Sequence, residues 1–400
     1  MNQSLFSTGM PRSGQTLLTK SLSSHKDIMM AMGPNIEIYR FYIKHLVKKY
    51  GNKKLKKNFS KLMPFQDYFG SNESNELLKL ILNKNFNENF DLKEWNVFLK
   101  KSKNRIDHDS SDLLPFFHNL KTNTYKGLII NLIKIIKKAR NSEKKKIIGF
   151  NESWNICNFL ALKRSFKNSK FIILIRDPRA IWVSLSRNSK KRKELSVQLL
   201  SIARQFRKYI ILSDFYLKDK KFKKKLLVLR FEDLIENPKK QYKKIFNFLN
   251  VNYSKDVFNQ KNFFDHGLKK KWTINSAYRN RKNFDKKSIF EWKHHIKKID
   301  KRTIEFLCQN EMFYSGYKMN PFFSEKEKKK IFDNISKDYS STFNWRTDKN
   351  NLKKDLEFEN IRNKILNENN ENLKKNSFFK YFLFNNLKLK EISKYLKNFV

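Results

Sequence analysis

The segment Gly9-Met10-Pro11-Arg12-Ser13-Gly14-Gln15-Thr16 constrains this chain more than any other, because two glycines bound a turn between an apolar run and a helical pattern. Ser4–Thr8 reads as a short strand, and Gly14–Ser24 as a helix with Leu17, Leu18 and Leu22 on one face. A turn at that junction points backbone N–H groups and a helix N-terminus at an anion. Its spacing is that of a Walker A loop, G-x-x-x-x-G-K-[ST], with Gln15 where the lysine belongs. That lysine reaches the β- and γ-phosphates of a nucleoside triphosphate, so its loss argues against an ordinary ATPase or kinase. A cation stands instead at Arg12, inside the loop. The bland alternative is a purely structural turn, against which the strand context, Arg12, Ser13 and Thr16 weigh together.

Further strands follow. Asp27–Met32 and Lys146–Phe150 are short strand candidates, Phe171–Ile175 is an unbroken apolar run, and Leu226–Leu229 is another. Such runs mark strands buried on both faces. Between them lie helical patterns: Trp154–Phe166, a helix opening at Asp177-Pro178, Glu194–Tyr216, and a stripe of Tyr242, Ile245, Phe246 and Leu249 after Pro238. Strands alternating with helices predict a three-layer α/β/α fold with a central parallel sheet, of the P-loop NTPase-like kind. Residues 37–138 read as a helical insertion, residues 1–320 as the main domain, and 321–400 as a Lys/Asn-rich helical extension.

The chain carries 87 Lys plus Arg against 38 Asp plus Glu, a formal charge of +49. A charge this large favours anionic ligands. The lysines are scattered, in runs such as Lys144-Lys145-Lys146 and Lys328-Lys329-Lys330, which reads as solvated faces more than as a nucleic-acid module. Cys157 and Cys308 match no metal or disulfide spacing, and no other cluster suggests a metal site. Two cysteines, no signal peptide and no apolar stretch of membrane-spanning length point to the cytoplasm.

Met10-Pro11-Arg12-Ser13-Gly14-Gln15-Thr16-Leu17-Leu18 resembles the 5′-phosphosulfate loop of the sulfotransferase family, commonly PRSGTTLL. Gln15 departs from the usual Thr. Phe171-Ile-Ile-Leu-Ile-Arg176-Asp177-Pro178-Arg179, with Ser184 eight residues after Arg176, resembles that family's 3′-phosphate motif. An alternative for that segment is a Walker B acid at Asp177 paired with Arg176. Leu229-Arg230-Phe231-Glu232-Asp233-Leu234, followed by Pro238, resembles a segment whose aromatic lies near adenine. Ser276, Lys282 and Trp292 match a later Ser…Lys…Trp pattern loosely.

The resemblance implies a sulfotransferase that uses 3′-phosphoadenosine 5′-phosphosulfate (PAPS) without a metal. Arg12, Ser13, Gly14, Gln15, Thr16, Leu17, Arg176, Ser184, Phe231, Ser276 and Lys282 are its implied donor-binding residues. Arg12 is also catalytic, because it faces charge that grows on the leaving oxygen. A base must take the acceptor's proton. Relatives place a Glu after the second strand, where this chain has Met32-Gly33, so Glu37 is the first candidate and Glu152 the second. His25 reads as structural. The acceptor, a hydroxyl or an amine on a glycan, a lipid-linked compound or a small molecule, is not identified by the sequence. Two rivals remain open: a P-loop phosphotransferase, and a basic nucleic-acid- or glycan-binding protein on a degenerate donor fold.

Overall fold

The computed structural model describes residues 3–59, 72–153, 155–191, 198–272, 284–341, 352–353, 356–357, 359–360 and 362. In chain order it contains β1 (Gln3–Gly9), α1 (Gln15–Ser23), β2 (Ile28–Met32), α2 (Glu37–Tyr50), α3 (Trp95–Arg105) and α4 (Tyr125–Ala139). There follow β3 (Ile147–Asn151), β4 (Ser169–Ile175), α5 (Pro178–Lys191), α6 (Leu199–Lys218), β5 (Leu226–Arg230), α7 (Pro238–Leu249) and α8 (Lys298–Leu307). The five strands fall on the five runs that the sequence marks.

They form one parallel sheet in the order β2-β3-β1-β4-β5, flanked by helices, which is the three-layer fold the alternation predicts. The physical cause is apolar content without a polar face. Phe171, Ile172, Ile173 and Leu174 of β4 are fully buried, so both faces of the strand need cover. Phe6 of β1 packs edge-on to Phe150 (5.3 Å) and stacks with Phe171 (5.5 Å), locking three neighbouring strands. Because β1 lies centrally, with β3 on one side and β4 on the other, the segment leaving its carboxyl end sits where the strand order reverses. That is where open α/β sheets bind ligands.

The chain divides into two compact units that interleave in sequence. The first, Met1–Ser60, Glu76–Ile175 and Tyr216–Lys286, contains the whole sheet and most of the expected insertion. That insertion includes α2, the helices Lys53–Asn58 and Asn72–Asn83, α3, α4 and a 3-10 run, His108–Leu120, and its described residues contain no strand. Aromatic packing holds it, as in Tyr42 stacked on Phe86 at 4.1 Å and Phe98 edge-on to Phe41 at 5.2 Å. Its attachment to α1 is ionic: buried Lys20 pairs with buried Asp109 and donates to the Phe264 carbonyl at 2.7 Å. A two-stranded antiparallel hairpin, Phe264–Asp265 with Lys270–Lys271, was not expected from the sequence.

The second unit comprises Lys61–Asn75, Arg176–Phe215 and Lys287–Val400. In it, α8 and the helix Glu325–Ser341 bury Ile304, Leu307, Ile331 and Ile335. Two of the described residues beyond 350 are also buried: Glu359 pairs with Arg204 (3.1 Å) and Arg207 (2.7 Å), and Arg362 with Glu311 (2.5 Å). Among the described residues, no helix is long and apolar enough to cross a membrane.

Candidate active site

The loop after β1 opens with a turn closed by the Ser13 N–H donating to the Met10 carbonyl at 3.0 Å. Pro11 takes its first central position and Arg12 its second, with φ +70°. A type II turn needs positive φ there and ordinarily takes Gly. An arginine in that conformation is strained, and such strain collects at functional sites. Gly14 then enters α1 with φ +94°, and no side chain caps the helix. A Cβ on Gly14 would lie 2.3 Å from Cδ2 of Phe231, so the glycine serves both the left-handed backbone and the close approach of that ring. The leading amides of α1 have no acceptor inside the helix.

Two polar atoms of this loop, Ser13 Oγ and Gln15 Oε1, are buried without a hydrogen-bond partner. Buried polar groups without partners are uncommon, and an oxygen-rich ligand would satisfy a donor such as the serine hydroxyl. The Gln15 amide nitrogen instead turns back to the carbonyls of Gly9 (2.5 Å) and Met10 (2.8 Å), fixing the strand-to-loop corner.

The loop adjoins a cavity of about 150 Å³ lined by Met32, Gly33, Ile36, Arg105, Asp107, Asn151, Glu152 and Ser153. Two contacts join them: Gln15 Nε2 lies 3.4 Å from Ser153 Oγ, and Thr16 Oγ1 lies 3.4 Å from the Met32 sulfur. The cavity forms where β2 and β3 end. The Gly33 N–H donates to the Asn151 carbonyl at 2.8 Å, and the Asp107 N–H to the Gly33 carbonyl at 3.0 Å. Gly33 has φ +53°, and a Cβ there would stand 2.7 Å from Cβ of Asp107, so glycine lets the segment after α3 close onto the sheet.

Glu152 is fixed on three sides. Its N–H donates to the Ser7 carbonyl (3.1 Å), its carbonyl accepts from Thr8 Oγ1 (2.7 Å), and its Oε1 accepts from the Asn35 N–H (3.1 Å). No described cation lies in ion-pair distance of its carboxyl, and burial pushes it up to about 8, with the Asp107 charge adding to the effect.

Glu37 has different surroundings. It sits in the first turn of α2, buried, and its Oε1 accepts from Arg105 (2.9 Å) and Arg40 (3.2 Å). Burial raises its carboxyl above the usual range while Arg105 and Lys101 pull it down. Glu152 lines the cavity; Glu37 holds a cation that does. Arg105 is a site residue that sequence reading missed, because its link to the end of β2 arises only through Gly33.

Phe231 follows β5 directly and packs, buried, on Gly14. Arg176 and Ser184 belong to the second unit, both buried, at the start of α5 and two turns along it. Arg176 Nη2 donates to the Ser288 carbonyl at 3.2 Å. The Asp177 carboxylate pairs with Arg179 at 2.7 Å, and Arg179 also reaches Glu305 (2.7 Å) while lying over the Trp292 ring (4.3 Å). Trp292 thereby packs against the motif's second arginine. Ser276 and Lys282 lie outside the described residues. His25 is buried and links Asn252 to the Asp27 N–H, as a structural histidine does.

The model of the sulfotransferase family matches residues 4–255. Solved structures with a similar course include the sulfotransferase domain from the curacin biosynthetic pathway, at 15% identity over 80% of this chain and 99% of that one, TM-score 0.46. The sulfotransferase domain of the Synechococcus PCC 7002 olefin synthase matches at 16% identity over 80% and 96%, TM-score 0.45. Retinol dehydratase in a complex with retinol and PAP matches at 14% identity over 79% and 82%, TM-score 0.35. No curated protein matches the chain.

Proposed function

The chain belongs to the sulfotransferase family, and on that premise we propose that it moves a sulfonate from PAPS to an acceptor hydroxyl or amine, with Glu152 as the base. The observation that carries this reading is the adjacency of an anion-type loop to a cavity holding a buried carboxyl, joined through Gln15–Ser153 and Thr16–Met32.

The donor supplies an activated sulfonate on a nucleotide phosphate. The leading amides of α1, the Ser13 hydroxyl and Thr16 suit its 5′-phosphosulfate, and Phe231 is an aromatic beside that loop. Arg12 and the amides stabilise charge that grows on the bridging oxygen as its bond to sulfur breaks. Arg176 and Ser184 are assigned to the 3′-phosphate by the family resemblance, and a guanidinium fork suits such a group. Glu152 removes the acceptor's proton; an uncharged acid in the resting protein, it becomes a base strong enough for a hydroxyl once ionised. Glu37 is less suited, since its oxygen is already held by two guanidinium groups.

Titration with 3′-phosphoadenosine 5′-phosphate and with adenosine 5′-phosphate tests the donor assignment. The 3′-phosphorylated nucleotide binds at least about tenfold more tightly, since a charge-assisted hydrogen bond contributes roughly 1.5–3 kcal/mol. Arg176→Ala erases most of that preference and leaves adenosine 5′-phosphate affinity unchanged. Equal binding of both nucleotides to the wild type refutes the assignment.

A further inference from the structure

Arg105 ends α3 and lines the cavity beside Glu152, with its side chain 43% exposed. Its guanidinium is held from behind by Glu37, a carboxylate 1% exposed, at 2.9 Å. A buried carboxylate that fixes a half-exposed arginine at a cavity wall sets the direction of a planar fork. Of the five N–H donors on a guanidinium, the described residues engage one, Nη1. Arg40 and Lys101 also lie near Glu37, so one buried carboxylate faces three cations and does not neutralise Arg105 alone. The other carboxyl in the cavity lining has one oxygen committed elsewhere: Asp107 Oδ1 caps the His108–Leu120 run through the Asp109 N–H (3.0 Å) and lies 3.2 Å from His108 Nδ1. The Arg105 side of the wall therefore offers unused guanidinium donors, which suit a planar anionic group.

We infer that Arg105, oriented by Glu37, binds a carboxylate carried by the acceptor beside the hydroxyl that Glu152 deprotonates. The substrate class is thus a hydroxylated acid. This rests on the proposed sulfotransfer at Glu152, and it gives Glu37 a task, that of a positioning residue. Size sets a further bound: an engineered cavity of about 150 Å³ accepts a benzene. A single sugar acid, larger than benzene, is therefore the upper bound of the group admitted here.

The test uses glucuronate and glucose, which share a ring and differ by the carboxylate, titrated by NMR into full-length protein saturated with 3′-phosphoadenosine 5′-phosphate. Acetate is the control for a bare anion. Glucuronate binds at least about tenfold more tightly than glucose or acetate, the size of one charge-assisted pair. Arg105→Ala brings glucuronate to the level of glucose, Arg105→Lys restores part of the preference, and Glu37→Gln weakens glucuronate without changing glucose. Nucleotide affinity, unchanged in all three variants, reports that they fold. Equal binding of the two sugars, binding of neither, or acetate binding as well as glucuronate overturns the inference. If the nucleotide itself fails to bind the wild type, the donor reading falls instead, and the two failures are told apart in one titration series.

Discussion

Glu152 and Arg12 carry the chemistry at the residue scale, and each has an environment that makes its role measurable. A carboxyl raised from 4.5 to about 8 by burial is protonated at neutral pH. If it is the base, kcat/KM rises tenfold per pH unit below that value and levels above it. Glu152→Gln removes the limb and lowers turnover by roughly 10²–10⁴-fold, the range of general-base catalysis. The same shift has a stability consequence of definite sign. Between pH 4.5 and about 8 the unfolded chain has released this proton and the folded chain has not, so folding stability drops as pH rises through that window. The Gln variant does not titrate. Its Tm relative to wild type should climb from pH 5 to pH 8, and a flat difference across that range contradicts the assigned protonation. Arg12 separates strain from function in a similar way. Arg12→Gly relieves the φ of +70° and is expected to gain about 1 kcal/mol, whereas Arg12→Ala keeps the strain. Both should lose roughly 10²–10³-fold in turnover, as removal of an oxyanion donor does. Stabilisation by Ala as large as by Gly would show that the turn is not strained.

The elements show which parts of such a site a sequence can disclose. β1, the loop and α1 are contiguous, so their apolar run, glycines and leucine stripe are readable in order, and so is the apolar run of β4. The cavity is not contiguous. It is assembled from the ends of β2, β3 and α3, which lie dozens of residues apart and meet because Gly33 admits Asp107. Glu37 follows β2 at the spacing expected of a base, but spacing carries no information about Arg105 closing over it. Burial of Glu152 likewise depends on Ser7, Thr8 and Asn35 converging from other strands and loops. The Gly14–Phe231 contact belongs to this scale too. Gly14→Ala should destabilise by about 1–3 kcal/mol from backbone strain alone, with the collision added. Phe231→Ala removes the collision but leaves the strain, so urea denaturation of the double variant should show coupling of about 0.5–3 kcal/mol. Strict additivity would mean that ring and glycine do not touch.

For the whole molecule, the described residues beyond 350 matter through the buried side chains of Glu359 and Arg362. The second unit buries Arg204, Arg207, Glu311, Glu359 and Arg362 together, and Glu359 and Arg362 come from beyond residue 350. A Lys/Asn-rich tail gives no sequence pattern for this, because ion pairs have no periodicity. Arg207 also donates to the Leu307 carbonyl at 2.9 Å, and Arg362 to the same carbonyl at 3.2 Å, so the cluster ties α6, α8 and the tail to one acceptor. Removing one partner of a buried pair leaves a charge without compensation and typically costs about 3–5 kcal/mol. Glu359→Ala should therefore destabilise the protein by that amount in denaturant melts, and truncation after residue 350 by at least as much. The triple change Arg204→Met, Arg207→Met and Glu359→Leu should come back close to wild type, since apolar groups of similar volume often replace a buried ion pair or triad without loss. Acid adds a second signature. Arg207 and its neighbours hold the Glu359 carboxyl down to about 2 against the burial that opposes them. Its contribution is complete above pH 4.5 and disappears as pH falls toward 2, because in that window the unfolded chain has taken up the proton and the folded chain has not. Wild type should lose stability more steeply than the triple Met/Met/Leu variant between pH 4.5 and 2, and parallel acid profiles would remove Glu359 from the cluster.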